Sequence, residues 1–287
     1  MPSRGRGGRL RATSTRDRSN ASPSRRGVLR SHSVADRFDS VKPPRALCLD
    51  LDETLLNNDG VHNDAIALTS QAIAGSQPGM SGTRLIGTYH TVVTNYGAEV
   101  EGKWDGGDLN AASFTLEAWR RALSACGCTD EAVAQRAAAL HYRLAEAGYR
   151  LFEDAREFLE AAREAGLPLA LITNGPTDLQ RSKIRVLGIG HCFDTVAISG
   201  EVGVSKPDPH IFEHVLRGLG VASDGVWHVG DNLATDVAGA RAAGLTAVWI
   251  NRTGAGRREA DPEPDLEIAS LSELKPLLAG SRGVKPS

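Results

Sequence analysis

Asp50-Leu51-Asp52-Glu53-Thr54-Leu55 follows a short apolar run, Arg45-Ala46-Leu47-Cys48-Leu49. In an extended segment side chains repeat every two residues, so Asp50 and Asp52 would share one side of the chain. Two carboxylates held that close repel each other unless a cation or a proton lies between them. One reading is a Mg2+ site in which one carboxylate doubles as a nucleophile. The other is an ordinary acidic turn after a strand, and the pair alone does not separate the two.

Three further groups stand at the ends of similar apolar runs. Leu171-Ile172-Thr173-Asn174-Gly175 offers a hydroxyl and successive backbone N–H groups ahead of a helix start, which suits a phosphate oxygen. Val93-Thr94-Asn95 has similar side chains but lies inside the stretch read below as a cap, without the strand and helix around it, so Thr173 takes the role. Ser205-Lys206-Pro207-Asp208-Pro209 places an ammonium before a strongly amphipathic segment, where the prolines would fix its backbone. Val229-Gly230-Asp231 adds a carboxylate at another run's end, with Gly230 permitting a sharp turn. Asp236, five residues on, would cap the next helix or touch the metal. His210 and His214 have the spacing of a zinc pair but no further ligand spaced with them, and His228 reads as a packed strand residue.

These groups need a scaffold that brings run ends together. The run at 45–49 is joined by Leu167–Ile172, Thr195–Ser199, Val226–Val229 and Leu245–Ile250, each short and apolar, as in strands buried on both faces. Between them lie helical patterns. The clearest has Ile211, Phe212, Val215, Leu216 and Leu219 on one stripe, with Pro209 before it and Gly220 after. The expected fold is α/β, a Rossmann-like parallel sheet with helices on both faces. Residues 57–150 break the alternation with helical segments such as Thr115–Cys126 and Asp130–Ala147. That stretch reads as an all-helical cap inserted after the first strand, over the sheet edge where such folds bind ligands. The expected domains are a tail at 1–43, an α/β core at 44–56 and 151–287, and the cap at 57–150.

The 287-residue chain is 41% hydrophobic, enough for a sizeable core. Its net charge of −2 conceals an asymmetry, because residues 1–45 hold twelve Lys or Arg against three Asp. Residues 1–43, rich in Arg, Ser and Gly, have too little apolar content to order, so a disordered basic tail is expected. Three readings of it stay open: an extension without function, an organelle-targeting segment, or a basic arm that contacts nucleic acid. The four cysteines are too few for a disulfide scaffold and read as free thiols of a reducing cytoplasm. No run is long and apolar enough to span a membrane.

Taken together, Asp50-x-Asp52-x-Thr54, strand-Thr173, Lys206-Pro207 and Gly230-Asp231-x4-Asp236 resemble the four motifs of the haloacid dehalogenase superfamily. The insertion looks like the superfamily's C1-type helical cap. Residues 171–253, with Ala247-Val248-Trp249-Ile250-Asn251, resemble the branch of N-acylneuraminate-9-phosphate phosphatases and house-cleaning nucleotidases. The resemblance implies a Mg2+-dependent phosphatase acting on a small phosphorylated metabolite. Asp50 would be the nucleophile and Asp52 the general acid and base. Mg2+ would sit on Asp50, the Asp52 carbonyl and Asp231. Thr173, the Asn174 backbone and Lys206 would bind the phosphoryl group, and Asp236 would support the metal's waters or position Lys206. A dehalogenase of this superfamily attacks carbon and needs no acid at Asp52, which favours the phosphatase. A phosphotransferase or mutase, and a catalytically silent binding protein, are the alternatives. In the cap, Trp119, Arg120 and Arg121 are candidates for gripping the leaving group.

Overall fold

The computed structural model describes residues 42–100, 103 and 109–278. The tail expected at 1–43 thus lies almost wholly outside the described residues. Among those described, no helix is long and apolar enough to cross a membrane.

Six parallel strands form one sheet: β1 (Ala46–Leu49), β2 (Leu169–Thr173), β3 (Thr195–Ile198), β4 (Val226–Gly230), β5 (Thr246–Ile250) and β6 (Leu266–Ile268). Their order is β3-β2-β1-β4-β5-β6, the doubly wound arrangement in which the chain runs outward from β1 and then crosses back to start β4 on its other side. Alternating side chains bury on both faces. Ala46, Cys48, Ala170, Ile172, Ala247 and Trp249 pack with Ile211, Phe212 and Val215. Leu47, Leu49, Leu169 and Leu171, of opposite parity, are fully buried too. Five of the six strands are those expected. β6 was not foreseen, because it is three residues long and carries Glu267 in its middle.

The chain leaves the sheet after β1 and builds four helices: α1 (Asn58–Ser76), α2 (Gly82–Glu99), α3 (Ala111–Ala125) and α4 (Glu131–Gly148). Each begins where a short polar side chain, Asn57, Ser81, Asn110 or Asp130, accepts a hydrogen bond from an N–H of the first turn. The helices share a core of Ile66, Leu85, Tyr89, Trp119, Leu123 and Val133. The way out and the way back lie side by side, with Leu56 bridged to Leu151 and the Phe152 N–H donating to the Leu55 carbonyl at 2.9 Å. This corrects the expectation for Trp119, which is fully buried against Tyr89 (ring centroids 4.3 Å apart) and so faces the insertion's own core. Arg120 and Arg121 are likewise committed, to Glu117 and Glu131 and to Glu117 and Glu99.

After the insertion come α5 (Glu153–Glu164), β2 and α6 (Thr177–Leu187). The amphipathic segment is α7 (Pro209–Leu219), capped by Asp208 and ended by Gly220 in the left-handed region.

Candidate active site

Asp50, Asp52, Thr173, Lys206, Asp231 and Asp236 gather at the carboxyl edge of the sheet, around the strands flanking the point where strand order reverses. Asp50 follows β1 and donates its backbone N–H to the Val229 carbonyl of β4 at 2.9 Å. Thr173 is the last residue of β2, Lys206 lies in the turn before α7, and Asp231 follows β4.

Lys206 is the centre of the arrangement. Its side chain is 3% exposed, and its ammonium donates to three acceptors: Asp50 Oδ1 at 2.5 Å, Asp236 Oδ1 at 2.7 Å and the Ile172 carbonyl at 3.0 Å. An ammonium has three protons, so every donor is used. Asn174 fixes the backbone beneath it, with Oδ1 accepting from the Lys206 N–H and Nδ2 donating to its carbonyl, both at 2.9 Å. The Asn174 side chain is therefore structural, and only its backbone is left for a phosphoryl oxygen.

Asp236 is fully engaged. Oδ1 accepts from Lys206 and from His228 Nε2 at 2.8 Å, and Oδ2 accepts from the Asn232 N–H at 3.1 Å. Its contact with Lys206 is the one that the second of its two expected roles, positioning that lysine, would require. Asp236 does not cap the following turn; Asn232 does, accepting from the N–H groups of Ala234 and Thr235. Gly230 also has a different reason from the one expected. A Cβ there would lie 2.2 Å from Asp236 Cγ, so glycine is required by the close approach of that carboxyl and not by a turn.

The electrostatics follow from burial and crowding. Burial, abetted by Asp236, Asp52 and Asp231, pushes the Asp50 carboxyl well above its usual range against the pull of Lys206. Burial would push Asp236 up too, but Lys206 and His228 hold it below the ordinary carboxylate range. The Lys206 ammonium, despite burial, is held above its usual value by Asp236 and Asp50. Burial lowers His228, keeping the imidazole neutral and a donor to Asp236. Asp231 is pushed up to about 7, by burial first and then by Asp236. Carboxylate oxygens of Asp50, Asp231 and Asp236 lie within 4.8 Å of one another. With Asp236 engaged elsewhere, Asp50 and Asp231 are the carboxylates available to a cation, and three carboxylates gathered around the one Lys206 ammonium leave an excess of negative charge that a hard divalent ion would offset.

Asp52 is not in that cluster. Its carboxylate turns to α6, where Lys183 Nζ lies 2.8 and 2.9 Å from its two oxygens and Gln180 Nε2 is 3.0 Å from Oδ2. Gln180 also donates to Thr173 Oγ1 at 2.5 Å, tying β1's loop to β2. Sequence reading missed both residues. The signal was present: Gln180, Lys183, Ile184 and Leu187 form α6's buried stripe, and two polar residues at core positions of a stripe invite the question of what they serve. Thr94 donates to the His90 carbonyl of its own helix, and His210 pairs at the surface with Asp208.

Comparison with known proteins agrees with this geometry. The phosphoserine phosphatase of Thermus thermophilus is 50% identical over 123 residues, 42% of this chain and 48% of that protein. The N-acylneuraminate-9-phosphatase of Rattus norvegicus is 40% identical over 111 residues, 38% of this chain and 45% of the relative. The chain thus matches about half the length of these curated relatives. The crystal structure of a HAD phosphatase from Thermococcus onnurineus superposes with a TM-score of 0.61 at 27% identity, covering 83% of this chain and 100% of that one. Residues 44–244 match the haloacid dehalogenase-like hydrolase family. Since that span takes in β1 to β4 and every group described at the sheet's carboxyl edge, the chain belongs to that family.

Proposed function

We propose that this protein is a Mg2+-dependent phosphatase that hydrolyses a small phosphate monoester through an aspartyl-phosphate on Asp50. The observation that carries the reading is the pairing of two carboxylates in different settings. Asp50 lies in the Lys206–Asp231–Asp236 cluster, while Asp52 turns away to α6. The first suits a nucleophile beside cations, and the second suits a group that handles protons.

In the first half-reaction an Asp50 oxygen attacks phosphorus, the bond to the leaving oxygen breaks, and that oxygen takes a proton from Asp52. In the second, water gives a proton to Asp52 and attacks the same phosphorus, releasing phosphate and restoring the Asp50 carboxylate. Lys206 offsets charge on the phosphoryl oxygens, and the Thr173 hydroxyl and Asn174 backbone N–H donate to them. Asp50, Asp231 and the Asp52 carbonyl would hold Mg2+, which when bound adds positive charge beside the transferring group. Asp236 and His228 keep Lys206 aimed. An acid at position 52 has no purpose in displacing halide from carbon, which favours the phosphatase over the family's dehalogenase chemistry.

The same reading assigns residues 57–150 as a cap over the site and 44–56 with 151–278 as the core. The similarity to a phosphoserine phosphatase and an N-acylneuraminate-9-phosphatase supports a substrate among small phosphorylated metabolites. The four free cysteines suit a cytoplasmic setting. The test is phosphate release from a panel of phosphorylated metabolites, with Mg2+ and with EDTA, for wild type and Asp50→Asn. Release that needs Mg2+ and disappears in Asp50→Asn is expected. No release from any substrate, or release retained in the variant, overturns the proposal, and a phosphorylated acceptor formed in place of free phosphate when an alcohol is added would identify a transferase.

A further inference from the structure

Lys183 is a second buried ammonium at the site, and the reaction as written does not use it. Its side chain is 2% exposed, whereas the carboxylate it pairs with, Asp52, is 28% exposed. Such a pair is a poor device for stability, because a fully desolvated ammonium recovers only part of its hydration from a partner that water still reaches. Its geometry suggests a different task. Asp52 stands in the loop after β1, next to Glu53, whose φ of 56° is unusual for a residue with a side chain. Asp52 belongs to no strand or helix, and its backbone bridge to Leu56 leaves the direction of the side chain open. Two donors from the buried stripe of α6 set it instead. Lys183 reaches both oxygens, and Gln180 reaches Oδ2 while its same nitrogen holds Thr173 Oγ1 at the end of β2. The direction of the Asp52 carboxyl is thereby referenced to the strand that would carry the phosphoryl-binding hydroxyl.

We propose that Lys183 is a positioning residue that aims the Asp52 carboxyl at the leaving-group oxygen, and so matters most for leaving groups that cannot depart without a proton. This rests on the phosphatase reading. The bond between phosphorus and the leaving oxygen breaks as the electron pair stays on that oxygen. An alkoxide must then be protonated by Asp52, whereas a nitrophenolate is stable as it leaves. A misaimed Asp52 therefore penalises alkyl phosphates and largely spares aryl ones.

The experiment compares kcat/KM for the best alkyl phosphate and for p-nitrophenyl phosphate in wild type, Lys183→Met, Lys183→Arg and Asp52→Asn. Because kcat/KM ends with formation of the aspartyl-phosphate, the later use of Asp52 as a base drops out. General acids contribute ~100-fold or more, so Lys183→Met should lose at least ~30-fold on the alkyl substrate, and at least ~10-fold less on the aryl one. Lys183→Arg should restore part of the alkyl rate, and Asp52→Asn should show the same split as Lys183→Met. Equal losses on both substrates would make Lys183 a general structural or binding residue, and no loss on either would remove it from the reaction; both overturn the proposal. If Lys183→Met does not fold by circular dichroism, Lys183→Gln takes its place with the same outcomes. A wild type that releases phosphate from neither substrate sinks the phosphatase reading together with this one, whereas uniform losses in an active enzyme sink this one alone.

Discussion

Replacing Lys206 with Met keeps an unbranched apolar stem one atom shorter and removes the ammonium with its charge, which tests what the ammonium does. In the wild type it satisfies Asp50, Asp236 and the Ile172 carbonyl at once, and both carboxylate side chains are at most 7% exposed. The variant leaves two buried carboxylates without their cation. Breaking a buried ion pair from one side typically costs about 3–5 kcal/mol, and the loss should fall in that range at pH 8 in EDTA. For a domain of this size that is a fall in Tm on the order of 10 °C. The sign with pH is distinctive. In the wild type the Asp236 carboxyl is depressed by Lys206 and His228, so its stabilising contribution is present above the unfolded carboxylate value and is lost only as pH falls through the folded one. In Lys206→Met burial is unopposed by the lysine, so Asp236 rises and Asp50, already raised in the wild type, rises further, and the variant's native state binds more protons than that of the wild type. Stability of the variant relative to wild type should then increase as pH is lowered from 8 to 5, closing much of the gap. Urea unfolding at pH 8 and pH 5, with EDTA throughout, reads this directly. A loss below about 1 kcal/mol at pH 8, or a gap that does not narrow at pH 5, would show that Lys206 is not the counter-charge on which these carboxylates depend.

Three other outcomes are expected. Because Asp231 is pushed up to about 7 and Asp50 is also raised, protons compete with the cation, and Mg2+ affinity should weaken below pH 7 by up to ~10-fold per pH unit for each proton displaced. Fluorescence titration reads it, since Trp249 Nε1 donates to the Asp231 carbonyl at 2.7 Å; an affinity flat from pH 5 to 8 contradicts the assignment. Gly230→Ala puts a methyl 2.2 Å from Asp236 Cγ and should cost about 1–3 kcal/mol in chemical unfolding while cutting kcat more than KM rises, because Asp236 is pushed off Lys206. A variant as stable and active as wild type would mean the carboxyl moves aside freely. Trp119→Ala should lower stability by about 3–5 kcal/mol yet keep the order of preferred substrates, as its ring is buried in the insertion's own core; a changed ranking in the substrate panel would put the indole back at the leaving group.

Much of this protein is legible along the chain because the information is local. A strand buried on both faces writes itself as an apolar run, and the first hydrophilic residue after it marks the sheet's carboxyl edge, so the chain alone locates Asp50, Thr173 and Asp231 there. Gly220 and Pro209 bracket α7 for equally local reasons of backbone geometry. What the chain does not display is the direction of a side chain once the segment folds. Two-residue periodicity put Asp52 on the side of Asp50, but the run is no longer a strand past Leu49, and the Asp52 carboxylate turns to Lys183, 131 positions away in sequence. Trp119 beside two arginines looked like a ligand grip, and helix packing turned the indole inward while surface glutamates took the arginines. Gly230 looked like a turn residue, and the cause is the Asp236 carboxyl folded back against it. In each case residue type and spacing determine which element forms and where it ends, through backbone sterics and burial over a few residues. Which polar atom meets which is decided by the sheet and helices closing on one another, because a buried charge must find its partner wherever in the chain that partner lies.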